Sequence, residues 1–155
     1  EQVVGVKVTL VDATLHEDNV HRGPAQMLPV TRNPIYAAIL SAGITLKEPK
    51  QKILINTPQD YAGAVINMTN GRRGQLLDMQ QEGEMASIKV LMPVAELFGF
   101  ASELRGVTQG RAIWYQEYAG YHIIPRDILS KVVGDIRTRK GLKPEPPTPR
   151  FFLEQ

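Results

Sequence analysis

Two of the three histidines in the chain, His16 and His21, lie within one short segment that could carry chemistry. A zinc protease motif places two histidines four residues apart, so that both imidazoles share one helical face and an intervening glutamate acts as the base. Here the two histidines are five residues apart, which turns the second imidazole away from that face. Asn19 and the pair Gly23-Pro24 also argue against a helix. The segment therefore does not predict a metal site.

His21 and Arg22 lie at the tip of a loop that is stiffened by the following Gly23-Pro24, which cannot continue regular structure. Arg22 and the glycine give His21 no apolar surroundings. We therefore expect His21 to be solvent-exposed between a strand and a helix, where a His-Arg pair suits contact with a polyanion or with a modifying enzyme. His16 follows Leu15 at the strand end. We expect it to be more buried than His21 and to serve packing or hydrogen bonding.

Two further turns are basic and rich in glycine. Gly71-Arg72-Arg73-Gly74 could contact phosphates, although two arginines in a surface turn are also ordinary solvated charge. Residues 105–111 begin with Arg105 but lack the lysine and the spacing of a phosphate-binding loop, so they do not predict nucleotide binding. Nothing in the sequence pairs a nucleophile with a base, and we predict no catalytic residue.

The composition limits the classes of protein to which the chain can belong. Its 155 residues accommodate one or two small domains, and a hydrophobic content of 43% supports packed cores rather than disorder. The net charge is only +2, so a nucleic-acid contact would need a local basic patch. The lack of cysteine excludes disulfides, thiolate metal ligands and a cysteine nucleophile. No apolar run approaches a membrane span.

The start of the chain resembles neither a signal peptide nor a natural N-terminus. It has no initiator methionine and enters a strand pattern almost directly. We therefore expect the sequence to be part of a longer protein.

The middle of the chain, residues 49–121, shows strand and helix patterns in the order β-α-β-β-α-β. Alternating runs predict the strands, and proline or a capping residue opens each helix. This is the order of the ferredoxin-like split βαβ unit, and it places the chain in the α+β class. The predicted strands are at 52–56, 75–81, 85–91 and 111–118, and a hairpin turn at Glu82-Gly83 joins the second to the third. The first helix is capped by Thr57 and ended by Asn70-Gly71. The second helix is opened by Pro93 and closed by Gly106, and its apolar residues are Val94, Leu97, Phe98 and Ala101.

The part before this unit is predicted to contain one strand and one helix. Apolar residues alternate with other residues from Val4 to Leu10, which is the pattern of a half-buried strand. A helix follows the histidine segment. Thr31 can cap it, with Pro34 in its first turn, or it begins at Pro29 and is kinked at Pro34.

The part after the middle unit is predicted to contain one further helix. Pro125 and Asp127 open it, and Gly141 ends it. A proline-rich extended segment follows. The apolar tail at 151–153 is expected to dock on the rest of the chain.

With these motifs, the chain resembles the translation elongation factor 2 family. The histidine segment, residues 12–18 together with Val20-His21-Arg22-Gly23, resembles the tip of domain IV of that family. The sequence Gly-Pro-Ala-Gln at 23–26 resembles the archaeal branch most. The resemblance covers essentially the whole chain. Its other motifs, some of which recur in bacterial elongation factor G, are at 71–74, 92–100, 104–105, 108–110 and 139–142.

The resemblance implies a cytoplasmic, multidomain GTPase parent that drives the movement of tRNA and mRNA through the ribosome. In the family, domain IV mimics the anticodon arm of a tRNA, and a histidine at its tip is modified to diphthamide. The match places that histidine at His21. The implied partners are the ribosome and the diphthamide-synthesis enzymes, with no membrane. The residues implied in ribosome or RNA contact are Asp18, Asn19, His21, Arg22 and Gly23, with Arg72, Arg73 and Arg105 as further candidates.

The resemblance also implies a domain organisation. Residues 49–121 would be domain V, and residues 1–48 and 122–155 would form a partial domain IV. The C-terminal helix should then pack on the first part, with Ile128, Val132, Val133 and Ile136 beside Ile35 and Ile39. Because the chain has no phosphate-binding loop, we expect no cofactor and no enzymatic activity here, and the GTP site belongs to the full-length parent.

Two interpretations from other classes of protein remain open. One is a stand-alone ferredoxin-like RNA-binding protein, although the central strands lack an aromatic motif for base stacking. The other is a histidine-based hydrolase, which would need a nucleophile that the sequence does not offer.

Overall fold

The computed structural model describes residues 2–154, and the chain divides into two compact units. One unit combines the residues up to Thr45 with those from Pro125 onward, and the other is Leu46–Ile124. The second unit is therefore inserted in sequence between two parts of the first. None of the helices within residues 2–154 combines the length and the apolar character that crossing a membrane would require.

Helices and strands are numbered in chain order. The helices are α1 (Pro24–Ser41), α2 (Ala62–Gly71), α3 (Phe100–Val107), α4 (Arg126–Arg139) and α5 (Pro149–Leu153). The strands are β1 (Lys47–Pro58), β2 (Gln75–Glu82), β3 (Met85–Pro93) and β4 (Ile113–Ile123). Short 3-10 turns occur at Asn19–Arg22, Gln59–Tyr61 and Val94–Leu97.

The four strands of the second unit form one antiparallel sheet in the order β2-β3-β1-β4. Ile53 of β1 lies opposite Val90 of β3 on one side and opposite Gln116 of β4 on the other. Helix α2 connects β1 to β2, and α3 connects β3 to β4. The expected β-α-β-β-α-β order and the α+β class are therefore confirmed.

The core of this unit lies between one face of the sheet and the helices α2 and α3. Alternate residues of the central strands point into it, as the period of two requires. Each large aliphatic side chain that is buried in this way contributes on the order of 1.5–3 kcal/mol. The fully buried members are Ile53, Ile55, Val65, Ile88, Val90, Met92, Phe100 and Leu104.

The first helix of the unit begins later than its sequence suggests. Thr57 does not cap it, because Thr57 and Pro58 continue β1 and pair with Ala86 and Met85 of β3. Thr57 is fully buried, and α2 begins at Ala62 after a 3-10 turn. The predicted cap was wrong because cross-strand pairing, which a local motif does not reveal, extends the strand.

The predicted helix after Pro93 is two separate segments. Pro93 ends β3, residues 94–97 form a 3-10 turn, and Gly99 adopts a left-handed conformation with φ of 74° before α3 begins. This reversal leaves Phe98 81% exposed and buries Phe100 in its place. The prediction of one continuous helix carrying Phe98 was therefore wrong.

The β2–β3 hairpin has a two-residue turn. Glu82 pairs with Met85, so the turn residues are Gly83 and Glu84, one position later than expected. Gly83 has φ of 60°, a conformation that glycine adopts without strain.

Residues 2–18 of the first unit contain no strand, so the prediction of a strand from Val4 to Leu10 was wrong. The apolar side chains of this segment are exposed. Alternation predicts which face of a strand would be buried, but a strand also needs a neighbour for its backbone hydrogen bonds. No such neighbour occurs among the described residues.

Helix α1 begins at Pro24, with Gly23 as its N-cap, and continues through Pro29 and Pro34. Neither predicted start, at Pro29 or with Thr31 as cap, is correct. A proline inside a helix removes an amide donor. The carbonyls left without an amide partner are those of Ala25 and Val30, four residues before the two prolines. Both residues are exposed, so water can bond these carbonyls instead.

The C-terminal part contains α4 and α5. Helix α4 follows Pro125, and Gly141 lies just beyond its end with φ of 70°. The aromatic tail forms α5, and the rings of Tyr36 in α1 and Phe152 lie 5.4 Å apart in an edge-on contact. Docking of the tail is therefore confirmed. The apolar side chains of α4 are partly buried, and their packing beside Ile35 and Ile39 stays a prediction.

Candidate functional site

A capped 3-10 turn positions His21. Asp18 precedes the turn, and its side-chain Oδ1 accepts a hydrogen bond of 2.9 Å from the Val20 backbone amide. The His21 amide donates to the Asp18 carbonyl at 3.2 Å. Short carboxylate side chains are favoured at this position because they satisfy amides that the first turn leaves free. The histidine therefore lies on a backbone with its own local hydrogen bonds.

Gly23-Pro24 then converts the turn into α1. The Gly23 carbonyl accepts bonds of 3.0 Å from the amides of Gln26 and Met27. Pro24 occupies the first helical position, where its missing donor costs nothing. The histidine turn, which we define as residues 16–23, is thus joined directly to the start of a long helix.

The two histidines of this turn are neighbours. Nδ1 of His16 accepts a 3.0 Å hydrogen bond from the Asp18 amide, and the ring centroids of His16 and His21 are 4.6 Å apart. Both side chains are exposed. The exposure of His21 is as expected, but the prediction that His16 is more buried was wrong. Leu15 beside it is also exposed, because the segment before the turn forms no strand that could pack.

Arg22 lies across the same turn. Its Nη2 donates to the Glu17 carbonyl at 2.5 Å, and the side chain remains exposed. Asp18 and Asn19 are exposed as well, and Gly23 is partly buried. The structure therefore brings together the five expected contact residues of the first unit.

Within residues 2–154, no three His, Cys, Asp or Glu side chains are grouped so that they could hold a metal ion.

Arg72 is engaged with other parts of the second unit. Its Nε donates to Glu103 Oε2 at 2.7 Å, and its Nη1 donates to the carbonyls of Glu96 and Phe98 at 2.6 and 2.9 Å. The guanidinium thus fixes the turn before α3 to the end of α2. Sequence reasoning did not identify this role, because the carbonyls that Arg72 binds lie more than twenty positions away.

Arg73 is engaged in the same way. Its guanidinium makes a two-point contact with Glu48, with distances of 2.6 and 3.2 Å. Glu48 is only 8% exposed, so the arginine compensates a carboxylate that has lost most of its water. Arg73 also has φ of 58°, a left-handed conformation that is uncommon outside glycine.

Arg105 differs from these two arginines. It lies near the C-terminal end of α3, is exposed, and makes no side-chain hydrogen bond or ion pair within the described part of the chain. The loop that follows is folded by a 2.8 Å bond from the Gly110 amide to the Arg105 carbonyl. Of the three arginines in the second unit that the sequence singled out, Arg105 alone presents a guanidinium without a partner among the described residues.

The sheet face opposite α2 and α3 shows no base-stacking surface on its central strands. The residues there alternate with the core residues and are Lys52, Leu54 and Asn56 of β1 and Ser87, Lys89 and Leu91 of β3. No aromatic side chain is among them. Two shallow depressions on this face are lined by Leu54, Asn56, Asp78, Gln80, Glu82, Met85, Ala86, Ser87 and Lys89, which include no pair of nucleophile and base.

Comparison with known proteins matches both units to one family. The family model described as "Elongation factor G C-terminus" matches residues 45–132, and "Elongation factor G, domain IV" matches residues 1–43. A solved structure from Thermus thermophilus aligns with 59% of this chain over 14% of the solved chain, with a TM-score of 0.54 and 28% sequence identity.

Archaeal relatives named elongation factor 2 are similar over nearly the whole chain. The Methanosphaera stadtmanae protein is 50% identical over 153 residues, which is 99% of this chain and 21% of the relative. The Archaeoglobus fulgidus protein is 52% identical over the same shares, and the Methanococcus vannielii protein is 55% identical over 94% of this chain and 20% of the relative. The chain thus spans about a fifth of the length of these relatives. It belongs to the family of elongation factors G and 2, and it corresponds to their domain IV and C-terminal regions.

Proposed function

We propose that the chain is the ribosome-facing C-terminal portion of a cytoplasmic, GTP-dependent translocase that moves tRNA and mRNA during protein synthesis. The observation that carries this proposal is the exposed His21 at the tip of a capped turn, in the segment that matches domain IV. GTP would be bound and hydrolysed by another part of the longer protein. The residues of this chain would contact RNA and position the tip.

We further propose that His21 is the residue that dedicated enzymes modify to diphthamide. An enzyme must reach the imidazole from solvent, and the exposure of His21 supports that access. Asp18, Asn19, Arg22 and Gly23 lie on the same turn as His21. A cation next to an aromatic ring suits RNA, because the cation attracts phosphates and the ring stacks on bases.

In the second unit, we propose Arg105 as the RNA-contacting arginine. Its guanidinium is exposed and has no protein partner in the described residues. Arg72 and Arg73 would have to give up contacts to Glu103 and Glu48 in order to bind a phosphate. The proposed role of these two is therefore to hold the unit together.

We propose that residues 1–48 and 122–155 belong to one domain, the partial domain IV, and that residues 49–121 are domain V. The compact unit that joins the residues up to Thr45 with those from Pro125 onward supports this division. Each border differs from that of the compact units by about three residues.

The test uses the full-length archaeal factor on archaeal ribosomes. His21→Ala should impair the rate and the reading-frame fidelity of translocation, whereas Lys131→Ala, at an exposed position outside the histidine turn, should not. The intact mass of the factor from its archaeal host should show an addition that disappears in the His21 variant. Wild-type translocation by His21→Ala, or a modification that persists in it, would refute the proposal.

A further inference from the structure

The end of α4 carries a concentration of positive charge that the proposed function does not use. Residues 137–143, which we call the basic turn, contain Arg137, Arg139, Lys140 and Lys143 and no carboxylate. Their charge of +4 exceeds the net charge of +2 for the whole chain. An electrostatic case for nucleic acid that is absent from the chain as a whole is therefore present locally.

The backbone of the basic turn is ordered by its own contacts. The Leu142 amide donates to the Arg137 carbonyl at 2.9 Å, closing the helix around Gly141. Nε of Arg137 donates to the Lys143 carbonyl at 2.6 Å. Beyond the turn, Pro144 lies against α4. A Cβ added to Gly134 of that helix would be 3.7 Å from the Cβ of Pro144, which is van der Waals contact. The cations are thus carried by a folded turn, and less backbone entropy is lost when they bind a ligand.

Helix polarity accounts for only part of this charge. Cations near a helix C-terminus compensate its partial negative charge. Arg137 lies in the last turn of α4, and its Nε donates to the Lys143 carbonyl beyond the helix end. Arg139 and Lys143 are exposed, and their side chains make no hydrogen bond or ion pair within residues 2–154.

Carboxylates are close in sequence but do not neutralise these two cations. Asp135 precedes Arg139 by four positions, a spacing that allows a pair on a helix, yet none forms between these two described residues. Glu145 lies just after Lys143 and does not pair with it. Arg72 and Arg73, by contrast, both have carboxylate partners. The basic turn is therefore a place in the first unit where cations remain available to an external anion.

We propose that the basic turn binds the phosphate backbone of RNA, at a site additional to the histidine turn. A guanidinium can contact a phosphate through two hydrogen bonds, and a lysine adds a point charge. Cations on one turn suit successive phosphates of a strand. The choice of RNA rests on the proposed function, in which the partner is the ribosome.

The test measures binding of the chain to a short fluorescein-labelled RNA hairpin by fluorescence anisotropy over a range of salt concentrations. The double variant Arg139→Gln, Lys143→Gln removes two free cations and keeps the Arg137 contact, which uses the Lys143 backbone. Loss of two phosphate contacts should weaken binding roughly five- to tenfold at low salt and make the slope of log K against log salt less negative by about 1.4–1.8.

The matched control is Arg126→Gln, Lys131→Gln, which removes two exposed cations from the N-terminal half of α4. It should retain most of the affinity and of the salt slope. Equal losses in both double variants, or no loss in the first, would refute the proposal. A loss of binding to phosphatidylserine vesicles without a loss of RNA binding would assign the turn to a membrane instead. The proposed function is tested separately, by translocation with the His21 variant of the full-length factor. Unchanged RNA binding by the basic-turn variant would therefore refute this proposal and leave the proposed function standing.

Discussion

The imidazole rings of His16 and His21 lie 4.6 Å apart at an interplanar angle of 58°, and His16 is tied to the turn by its Nδ1, which accepts a bond from the Asp18 amide. A ring nitrogen that accepts a hydrogen bond carries no proton, so a neutral His16 has its proton on Nε2. His16 therefore has two separable contacts, one with the backbone of the turn and one with the ring of His21. We infer that it positions the histidine at the tip.

Two substitutions separate these contacts. His16→Asn keeps an acceptor for the Asp18 amide and loses the ring, whereas His16→Phe keeps a ring and loses the acceptor. We expect the Asn variant to retain hydrogen-exchange protection of the Asp18 amide and to change the ring chemical shifts of His21. The Phe variant should lose that protection, and its phenyl ring should still shift the His21 ring resonances in the same NMR measurement. Because the site is exposed, neither should change the free energy of unfolding by more than about 0.5 kcal/mol. Unchanged signals in both variants would contradict a positioning role.

The architecture of the second unit was predictable because its signals are local. The two central strands, β1 and β3, alternate between core and outer residues, and turn residues mark the borders, as at Gly83 and Gly71. A β-α-β-β-α-β order has few compact solutions, so the topology followed from the order of elements. The exposure of His21 was predictable for a similar reason, since the two residues after it exclude a core position.

The errors arose where distant residues decide the local structure. The alternation from Val4 to Leu10 is a strand pattern, but forming a strand requires a partner that the described residues do not supply. Thr57 has the features of a helix cap, yet pairing with Ala86 keeps it in β1. The roles of Arg72 and Arg73 depend on Glu103 and Glu48, whose proximity only the fold establishes.

Gly74 should be intolerant of a side chain, whereas Gly71 should accept one. A Cβ on Gly74 would lie 2.6 Å from the Thr69 carbonyl oxygen and 2.9 Å from Cγ1 of Val90, so the start of β2 would have to shift. Gly74→Ala should therefore cost about 1–3 kcal/mol of unfolding free energy in urea titrations. Gly71→Ala meets open space at the end of α2, and it should be neutral or stabilise by up to about 1 kcal/mol. Equal effects of the two variants would show that the close packing at Gly74 is absent in solution.

The two compact units should respond separately to damage in α4. Val132 is partly buried on that helix, and Val132→Asp places a carboxylate at a position that is partly shielded from water. We expect a loss of about 1–3 kcal/mol that is confined to the first unit, so that amides of α1 lose hydrogen-exchange protection. Amides of β1 and β3 should keep theirs, because the second unit has its own core. Loss of protection in the sheet while α1 stays protected would show that α4 belongs with the second unit.

The contact between Arg73 and Glu48 should be among the polar contacts that contribute most to the unfolding free energy of the second unit. Arg73→Ala leaves a carboxylate whose side chain is 10% exposed without a charged partner. Breaking a buried pair costs several kcal/mol, and because Arg73 is itself 29% exposed we expect a smaller loss of about 1.5–3 kcal/mol in urea unfolding. Arg105→Ala, which removes an exposed arginine without a partner among the described residues, should cost less than about 0.5 kcal/mol.

Adding Glu48→Gln to Arg73→Ala should recover part of the loss, because the uncompensated charge is removed along with its desolvation penalty. If the double variant were instead destabilised by the sum of the two single changes, the ion pair would contribute no coupling energy, and the left-handed backbone of Arg73 would need another source of stabilisation.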